Sequence, residues 1–294
     1  MNDTIWQTIG NYIAESTDEP FDPRPPSSVG GGCINTAVKL SDGRRDFFVK
    51  LNSADRLWMF SAEAEGLGEM AASRSIRVPE PVCHGSVGDQ AFLVMEYVAL
   101  GRPGRDAAEQ AGRRLAALHR TSRYDYGWHR DNTIGSTPQS NEPTDDWPTF
   151  WRERRLGFQL DLAAGNGYGS LLDRGQRLME GLPALLDHAP APSLLHGDLW
   201  GGNLGYDEDG EPLIFDPAVY YGDREADLAM TELFGGFSGD FYAAYNEAWP
   251  LPEGYRVRKT LYNLYHIINH ANLFGGGYVG QAGGMIDRLL AEMR

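Results

Sequence analysis

Two stretches of the chain carry acids and an amide at tight spacing directly after short apolar runs: 193-SLLHGDLWGGNLGY-206 and 213-LIFDPAVYYGDREADLA-229. Asp198 and Asn203 stand five residues apart with a glycine-rich loop between them, and Asp216 ends an apolar strand thirteen residues later. Phosphoryl transfer asks a protein for an acceptor for the nucleophile's proton, oxygen ligands for Mg²⁺, and positive groups on the phosphates. Asp198 suits the first task, orienting and deprotonating an attacking hydroxyl. Asn203 and Asp216 suit the second, because magnesium takes carboxylate and amide oxygens. Any one of the three alone reads as a turn residue. Together they read as a site.

An acid followed five residues on by an asparagine is also the spacing that protein kinases use for the catalytic base and a metal ligand. A nucleotide clamp is then expected upstream. Gly30, Gly31 and Gly32 open 30-GGGCIN-35 between strand-like residues, where backbone N–H groups can fold over phosphates. Lys50 ends the next strand in 47-FFVK-50, a place from which a lysine reaches the α/β-phosphates if a helix carboxylate holds it. Two acids lie on the following helix. Glu63 follows Phe60 by three and precedes Leu67 by four, so it flanks the buried stripe, whereas Glu65 points away. Glu63 is therefore the expected partner.

The elements that must position these groups fall into two parts. Helical spacing marks 4–16. Strands are expected over 29–40 and 46–51, joined by the turn 41-SDG-43, then a helix with Leu57, Phe60, Ala64, Leu67 and Ala71 on one face. A strand over 91–98 leads to 101-GRPG-104, read as a hinge. Beyond it lie helical patterns over 106–122, 145–163, 176–188, 226–236 and 258–275. The fold class is therefore α+β, with a β-rich nucleotide-binding lobe over 1–98 and a mainly helical catalytic and substrate-binding lobe over 99–294.

The chain has 294 residues, long enough for two lobes, with 41% hydrophobic and 23% charged residues as in an ordinary soluble globule. No run approaches the ~20 apolar residues that span a bilayer, and MNDTIWQTIG lacks the pattern of a secretory signal. Two cysteines, Cys33 and Cys83, build no disulfide framework, so a cytoplasmic setting is expected. A net charge of −15 argues against nucleic acid or an anionic membrane as partner, because both repel it. Lysine is scarce, at Lys39, Lys50 and Lys259, which makes Lys50 inside a motif more noticeable.

Taken together, GGCIN, FFVK, 59-MFSAEAEGL-67, 94-VMEYV-98, HGDLWGGN, FDPA, 145-DDWPTF-150 and 269-NHANLFG-275 resemble the fructosamine kinase (ketosamine-3-kinase) family of the bilobal protein-kinase-like fold, across nearly the whole chain. The resemblance implies MgATP-dependent phosphorylation of the 3-hydroxyl of a ketoamine, a sugar joined to an amine, free or on a protein lysine. The unstable 3-phosphate then sheds the sugar, which amounts to deglycation. By position it implies Asp198 as base, Asn203 and Asp216 on Mg²⁺, and Lys50 with Glu63 on ATP. Met95, Glu96, Tyr97 and Val98 then offer hinge backbone to the adenine. An acid of 222-GDREADLA-229, at the start of a helix, is expected to hold the catalytic loop; Asp227 is the choice, with Asp223 and Glu225 competing.

One departure separates this chain from protein kinases. Asp216 is followed by Pro217 and at once by 220-YYGDRE-225, leaving no room for a long peptide-binding activation segment. The acceptor is thus expected to be a small molecule or a protruding side-chain adduct. Trp200, inside the loop beside the base, is expected to wall the sugar or its amine, with Tyr220, His270 and Asn272 lining the same cavity. His196 is expected to support the loop through hydrogen bonds. His84, His119, His129 and His188 read as packing or surface, and a small residue in a turn accounts for Cys33. An aminoglycoside- or choline-type phosphotransferase is the alternative enzyme. A catalytically dead nucleotide-binding regulator is disfavoured, because Asp198, Asn203, Asp216 and Lys50 are all present.

Overall fold

Trp6, Ile9 and Ile13 recur at three and four residues and are buried, which makes Asp3–Thr17 an amphipathic helix, α1. The computed structural model describes residues 3–30 and 35–293. After α1 come β1 (Ser27–Ser28), β2 (Thr36–Ser41) and β3 (Asp46–Ser53), then α2 (Leu57–Ala72), β4 (Pro81–Val87) and β5 (Gln90–Glu96). The five strands form one antiparallel sheet in the order β1-β2-β3-β5-β4. Along β3 the side chains alternate. Phe47, Val49 and Leu51 join α1 in the core cluster with Val38, Leu40, Phe92 and Val94, and the period of two leaves Lys50 on the opposite face. Each fully buried aliphatic or aromatic side chain of that cluster contributes about 1.5–3 kcal/mol.

The strand expected over 29–40 begins at Thr36, and β5 stops at Glu96 rather than 98. Strand β4 was not expected: 81-PVCHGSV-87 lacks clean alternation, and its register slips between Pro81 and Cys83. Gly85 there is required by packing, since a Cβ would meet the Phe92 ring at 2.9 Å.

Further along run α3 (Ala107–His119), the hairpin β6 (Asn132–Ile134) and β7 (Thr137–Gln139), and α4 (Trp147–Phe150). Asp146 caps α4 by accepting from Thr149 N at 2.9 Å, and Pro148 sits in its first turn. The helix continues through a π-helical stretch, Trp151–Gly157, into α5 (Phe158–Gly165). The single helix expected over 176–188 is instead α6 (Gly169–Glu180) and α7 (Leu182–Leu185), parted at Gly181 with Pro183 just inside the second. Then follow β8 (Ser193–Leu195), β9 (Leu204–Tyr206), β10 (Pro212–Ile214), β11 (Tyr220–Gly222), α8 (Glu225–Leu233), α9 (Gly239–Ala248), α10 (Tyr255–Phe274) and α11 (Gly277–Glu292). Neither α9 nor α11 was expected; both are rich in glycine, alanine and polar residues, which blur the apolar stripe.

The chain divides into two units. One holds the residues up to Ala107 together with Gly205–Pro217; the other holds Ala108–Leu204 and the chain from Ala218 onward. Within the second unit α10 is the central helix, packed against α5, α8 and α11. Arg258 on α10 pairs with Glu225 on α8 through two hydrogen bonds, 2.7 and 2.8 Å, with both side chains almost wholly buried. Breaking a buried pair from one side leaves an uncompensated charge. Arg258→Met is therefore expected to lower unfolding free energy by about 3–5 kcal/mol in denaturant titration, with Arg258→Met/Glu225→Met recovering most of the loss. Equal losses in the single and double variants would show that the pair is not the cause.

Candidate active site

In the first unit, Lys50 Nζ donates to Glu63 Oε1 at 2.5 Å and to Asp216 Oδ1 at 2.6 Å. The alternation of β3 aims Lys50 at α2, and the Glu63 position on the flank of the α2 stripe meets it; Glu65 is exposed. Burial alone would depress the Lys50 ammonium, but Asp216 and Glu63 overturn that and hold it charged, above the usual lysine range. Burial raises the Glu63 carboxyl, with Lys50 pulling it down and Asp216 pushing it up. Asp216 keeps 45% of its side chain exposed although Lys50 keeps only 7%. Its φ is 59°, in the left-handed region that asparagine and aspartate tolerate better than other side chains.

Asp216 is brought to this place by β9 and β10, which pair as a short hairpin. Ile214 N donates to Arg77 O at 3.0 Å, so the strand that ends in Asp216 is tied to the segment before β4. The Arg77 guanidinium binds Asp207, in the turn of that hairpin, and Glu96 at 2.6 Å, at the end of β5. Met95 is buried and Tyr97 lies 4.5 Å under the Lys39 ammonium. Gly30 has open space where a Cβ would be, and Gly31 and Gly32 lie outside the described residues.

In the second unit, β8 and β11 pair with Leu195 opposite Tyr220, and His196–Asn203 follows as a loop. Asp227, in the first turn of α8, accepts His196 N at 2.7 Å and Gly197 N at 2.8 Å on its two oxygens. Burial would raise this carboxyl, but His119, His196 and the loop amides reverse the effect and hold it below the usual range. His119 Nε2 lies 3.2 Å from Asp227, and His119 Nδ1 lies 2.8 Å from Tyr245 Oη, which also accepts from Arg224 at 3.0 Å. With Arg224 donating, the tyrosine proton goes to His119 Nδ1, leaving Nε2–H for Asp227. Gly197 (φ 80°) must be glycine: a Cβ would meet Ala218 O at 2.1 Å.

Beyond it Asp198 is half-buried, and Asn203 Nδ2 donates to Asp198 O at 2.8 Å. That bond identifies the amide nitrogen and leaves the oxygen as the atom with metal-ligand chemistry. The competing acids have other partners. Asp223 accepts Tyr262 Oη at 2.5 Å and faces His188 Nε2 at 2.6 Å, and Glu225 belongs to Arg258.

The four residues expected around the acceptor separate. Trp200 is 40% exposed, its ring lying over Gly202 and edge-on to Phe234. His270 contacts Phe234, Phe274 and Tyr278, with ring centroids 4.9–5.6 Å apart. Tyr220, by contrast, is buried under the Arg155 guanidinium, 4.1 Å from its ring. Asn272 is engaged by Gln159 and Asn166. Tyr220 and Asn272 thus pack the second unit, because their partners lie on the helix around 147–165. His119 and Tyr245 were missed: a lone histidine at a helix end carries no spacing signal.

Asp227→Asn replaces one acceptor oxygen by an NH₂ group that opposes a loop N–H. The expected loss is about 2–4 kcal/mol of stability. Because the native carboxyl lies below its unfolded value of ~3.9, its contribution is complete above that pH and fades as pH falls through the native value. Urea titrations of both proteins from pH 7 to pH 3 check this: the gap should be constant near neutrality and shrink in acid.

The sequence matches the fructosamine kinase family over residues 5–292. It is 50% identical over 286 residues to a probable ketoamine kinase of Synechocystis sp., covering 97% of each chain. It is 45% identical to a chloroplastic protein-ribulosamine 3-kinase of Oryza sativa subsp. indica, over 91% of this chain and 79% of the relative. A crystal structure of a candidate fructosamine-3-kinase from Haemophilus somnus 129PT superimposes with a TM-score of 0.89 at 30% identity, covering 97% of both chains. An amicoumacin kinase and an aminoglycoside phosphotransferase, at 16% and 15% identity, share the fold alone. The α+β fold is therefore protein-kinase-like, and no helix among the described residues is long and apolar enough to cross a membrane. With its family match running almost end to end and the HGD loop and lysine–glutamate pair in place, the chain belongs to the fructosamine kinase family.

Proposed function

We propose that this protein is a MgATP-dependent ketoamine 3-kinase, acting on sugar–amine adducts that are free or carried on protein lysines, in a cytoplasmic setting. The observation that carries the reading is the Lys50 ammonium, buried, held charged by Glu63 and ending on the exposed carboxylate of Asp216. A charged lysine fixed in that way positions nucleotide phosphates, with Gly30, Gly31 and Gly32 covering them and the backbone of 95–98 meeting the adenine. The donor set fits magnesium: Asn203 offers an amide oxygen and Asp216 a carboxylate, both hard ligands. These two side chains would hold the ion, which would supply charge neutralisation on the transferring phosphate.

Asp198 takes the proton of the attacking hydroxyl as the new O–P bond forms and the bond from the γ-phosphorus to the β–γ bridging oxygen breaks, releasing ADP. Its loop is held at its start by Asp227, which accepts the His196 and Gly197 amides. Only eight residues separate Asp216 from α8, and β11 occupies three of them, which favours a compact acceptor over an extended peptide. The ketoamine acceptor is supported by the ketoamine kinase and ribulosamine 3-kinase relatives.

ADP release measured over ribulosamines, erythrulosamines and fructosamines tests the reading; silence across all three would sink the substrate class. Asp198→Ala is expected to cut turnover by at least ~10²-fold while nucleotide affinity, measured by calorimetry, stays within about twofold. Undiminished turnover would remove Asp198 from the role of base.

A further inference from the structure

We propose that Phe234, Phe274 and Tyr278, gathered around His270 at the C-terminal end of α10, form the subsite for the protonated amine of the acceptor. The inference rests on the ketoamine reading above and extends it to the half of the substrate that does not react.

Among the described residues four large aromatic side chains of the second unit are exposed; Tyr124, at 90%, stands apart in sequence, and the other three are Trp200 at 40%, Phe234 at 41% and Phe274 at 61%. These three are linked through His270. Trp200 meets Phe234 edge-on at 6.4 Å, Phe234 meets His270 at 4.9 Å, and His270 meets Tyr278 at 5.1 Å and Phe274 at 5.6 Å. The row therefore starts two residues past Asp198 and runs outward along one side of the catalytic loop. Glycines make the approach possible: a Cβ on Gly201 would meet Gly235 O at 2.8 Å, and one on Gly236 would meet the Gly201 Cα at 2.7 Å. The segment that carries Phe234 thus lies in direct backbone contact with the loop that carries the base.

The chemistry of the place favours a cation. Aromatic faces attract ammonium groups. The twenty-residue helix α10 ends at Phe274 with no basic residue in its last turn to occupy the place of a cation. His270 Nδ1 donates to His266 O at 2.8 Å, which in the neutral ring leaves Nε2 as an acceptor for an N–H donor. A ketoamine carries one cationic group, its aliphatic secondary amine, close to the sugar carbons. With the sugar at Trp200 and its hydroxyl at Asp198, that ammonium falls on the aromatic row. The same surface gives no such gain to a neutral ketose.

The test compares two acceptors with MgATP: the ribulosamine of a simple alkylamine, and the same ketose bearing an ether oxygen in place of the amine nitrogen. Phe234→Leu/Phe274→Leu keeps apolar bulk and removes the π faces. It is expected to lower kcat/KM for the charged acceptor by roughly 5- to 20-fold and for the neutral one by no more than about twofold. Phe274→Lys should enlarge the same difference, while Phe234→Tyr/Phe274→Tyr should keep kcat/KM for both acceptors near the wild-type values. The neutral acceptor reports on folding of every variant. Equal losses on both acceptors, or no loss on either, overturn the subsite alone. Wild-type protein that is silent on both overturns the ketoamine reading and the subsite with it.

Discussion

A buried carboxylate needs donors in place of water, and in the second unit the one beneath the catalytic loop is Asp227. Its two oxygens take the amides of His196 and Gly197, and His119 closes the third direction with a proton that traces back through Tyr245 to Arg224. The loop bearing Asp198 is therefore not shaped by its own residues. It hangs from an acid on α8. Gly197 can enter because it has no Cβ to strike Ala218, and the chain leaves through the turn that sets Asn203 against the Asp198 carbonyl. One buried charge thus joins the loop to three helices, α3, α8 and α9, through a connected set of hydrogen bonds.

The first unit solves a related problem with the opposite sign. A lysine ammonium buried on a sheet face is tolerated only if its charge is met, and Glu63 and Asp216 both meet it. Two acids around one lysine leave a net negative charge, and the more exposed of the two, Asp216, sits where a cation can share it. The left-handed backbone at Asp216 is a local cost borne where the carboxylate must be turned, a pattern common at functional sites. Arg77 ties the hairpin that delivers Asp216 to the end of β5, so the segment proposed for the adenine and the proposed metal ligand share one anchor.

The second unit also distinguishes aromatic residues that pack from those that face outward. Trp147, Trp151, Tyr262, Tyr265 and Tyr220 fill the space between the helix around 147–165 and α10, with the Arg155 guanidinium stacked among them. Trp200, Phe234 and Phe274 lie outside that group and remain half open to solvent. Burial of the first set stabilises the unit, whereas the second set keeps its surface for a ligand.

Much of the site was legible because its chemistry is local. The spacing of Asp198 and Asn203, the strand ending in Lys50 and the helical offset that selects Glu63 over Glu65 follow from periods of 2 and 3.6, which a sequence displays directly. Strand β4 was not legible, since a bulge and Gly85 erase its alternation, and neither were α9 and α11, whose small and polar residues blur the stripe. The partners of buried polar groups were also hidden. Asp227, Asp223 and Glu225 are alike in sequence, yet one holds the loop, one faces His188 and Tyr262, and one pairs with Arg258. Tyr220 and Asn272 carry the same side-chain chemistry as lining residues, but their neighbours, far off in the chain, bury or engage them. The sequence by itself determined which groups can do chemistry and on which face of an element each stands, because both are local properties. Only the tertiary structure decided which charge meets which, because a buried ion or amide is satisfied by whatever distant segment folding brings against it.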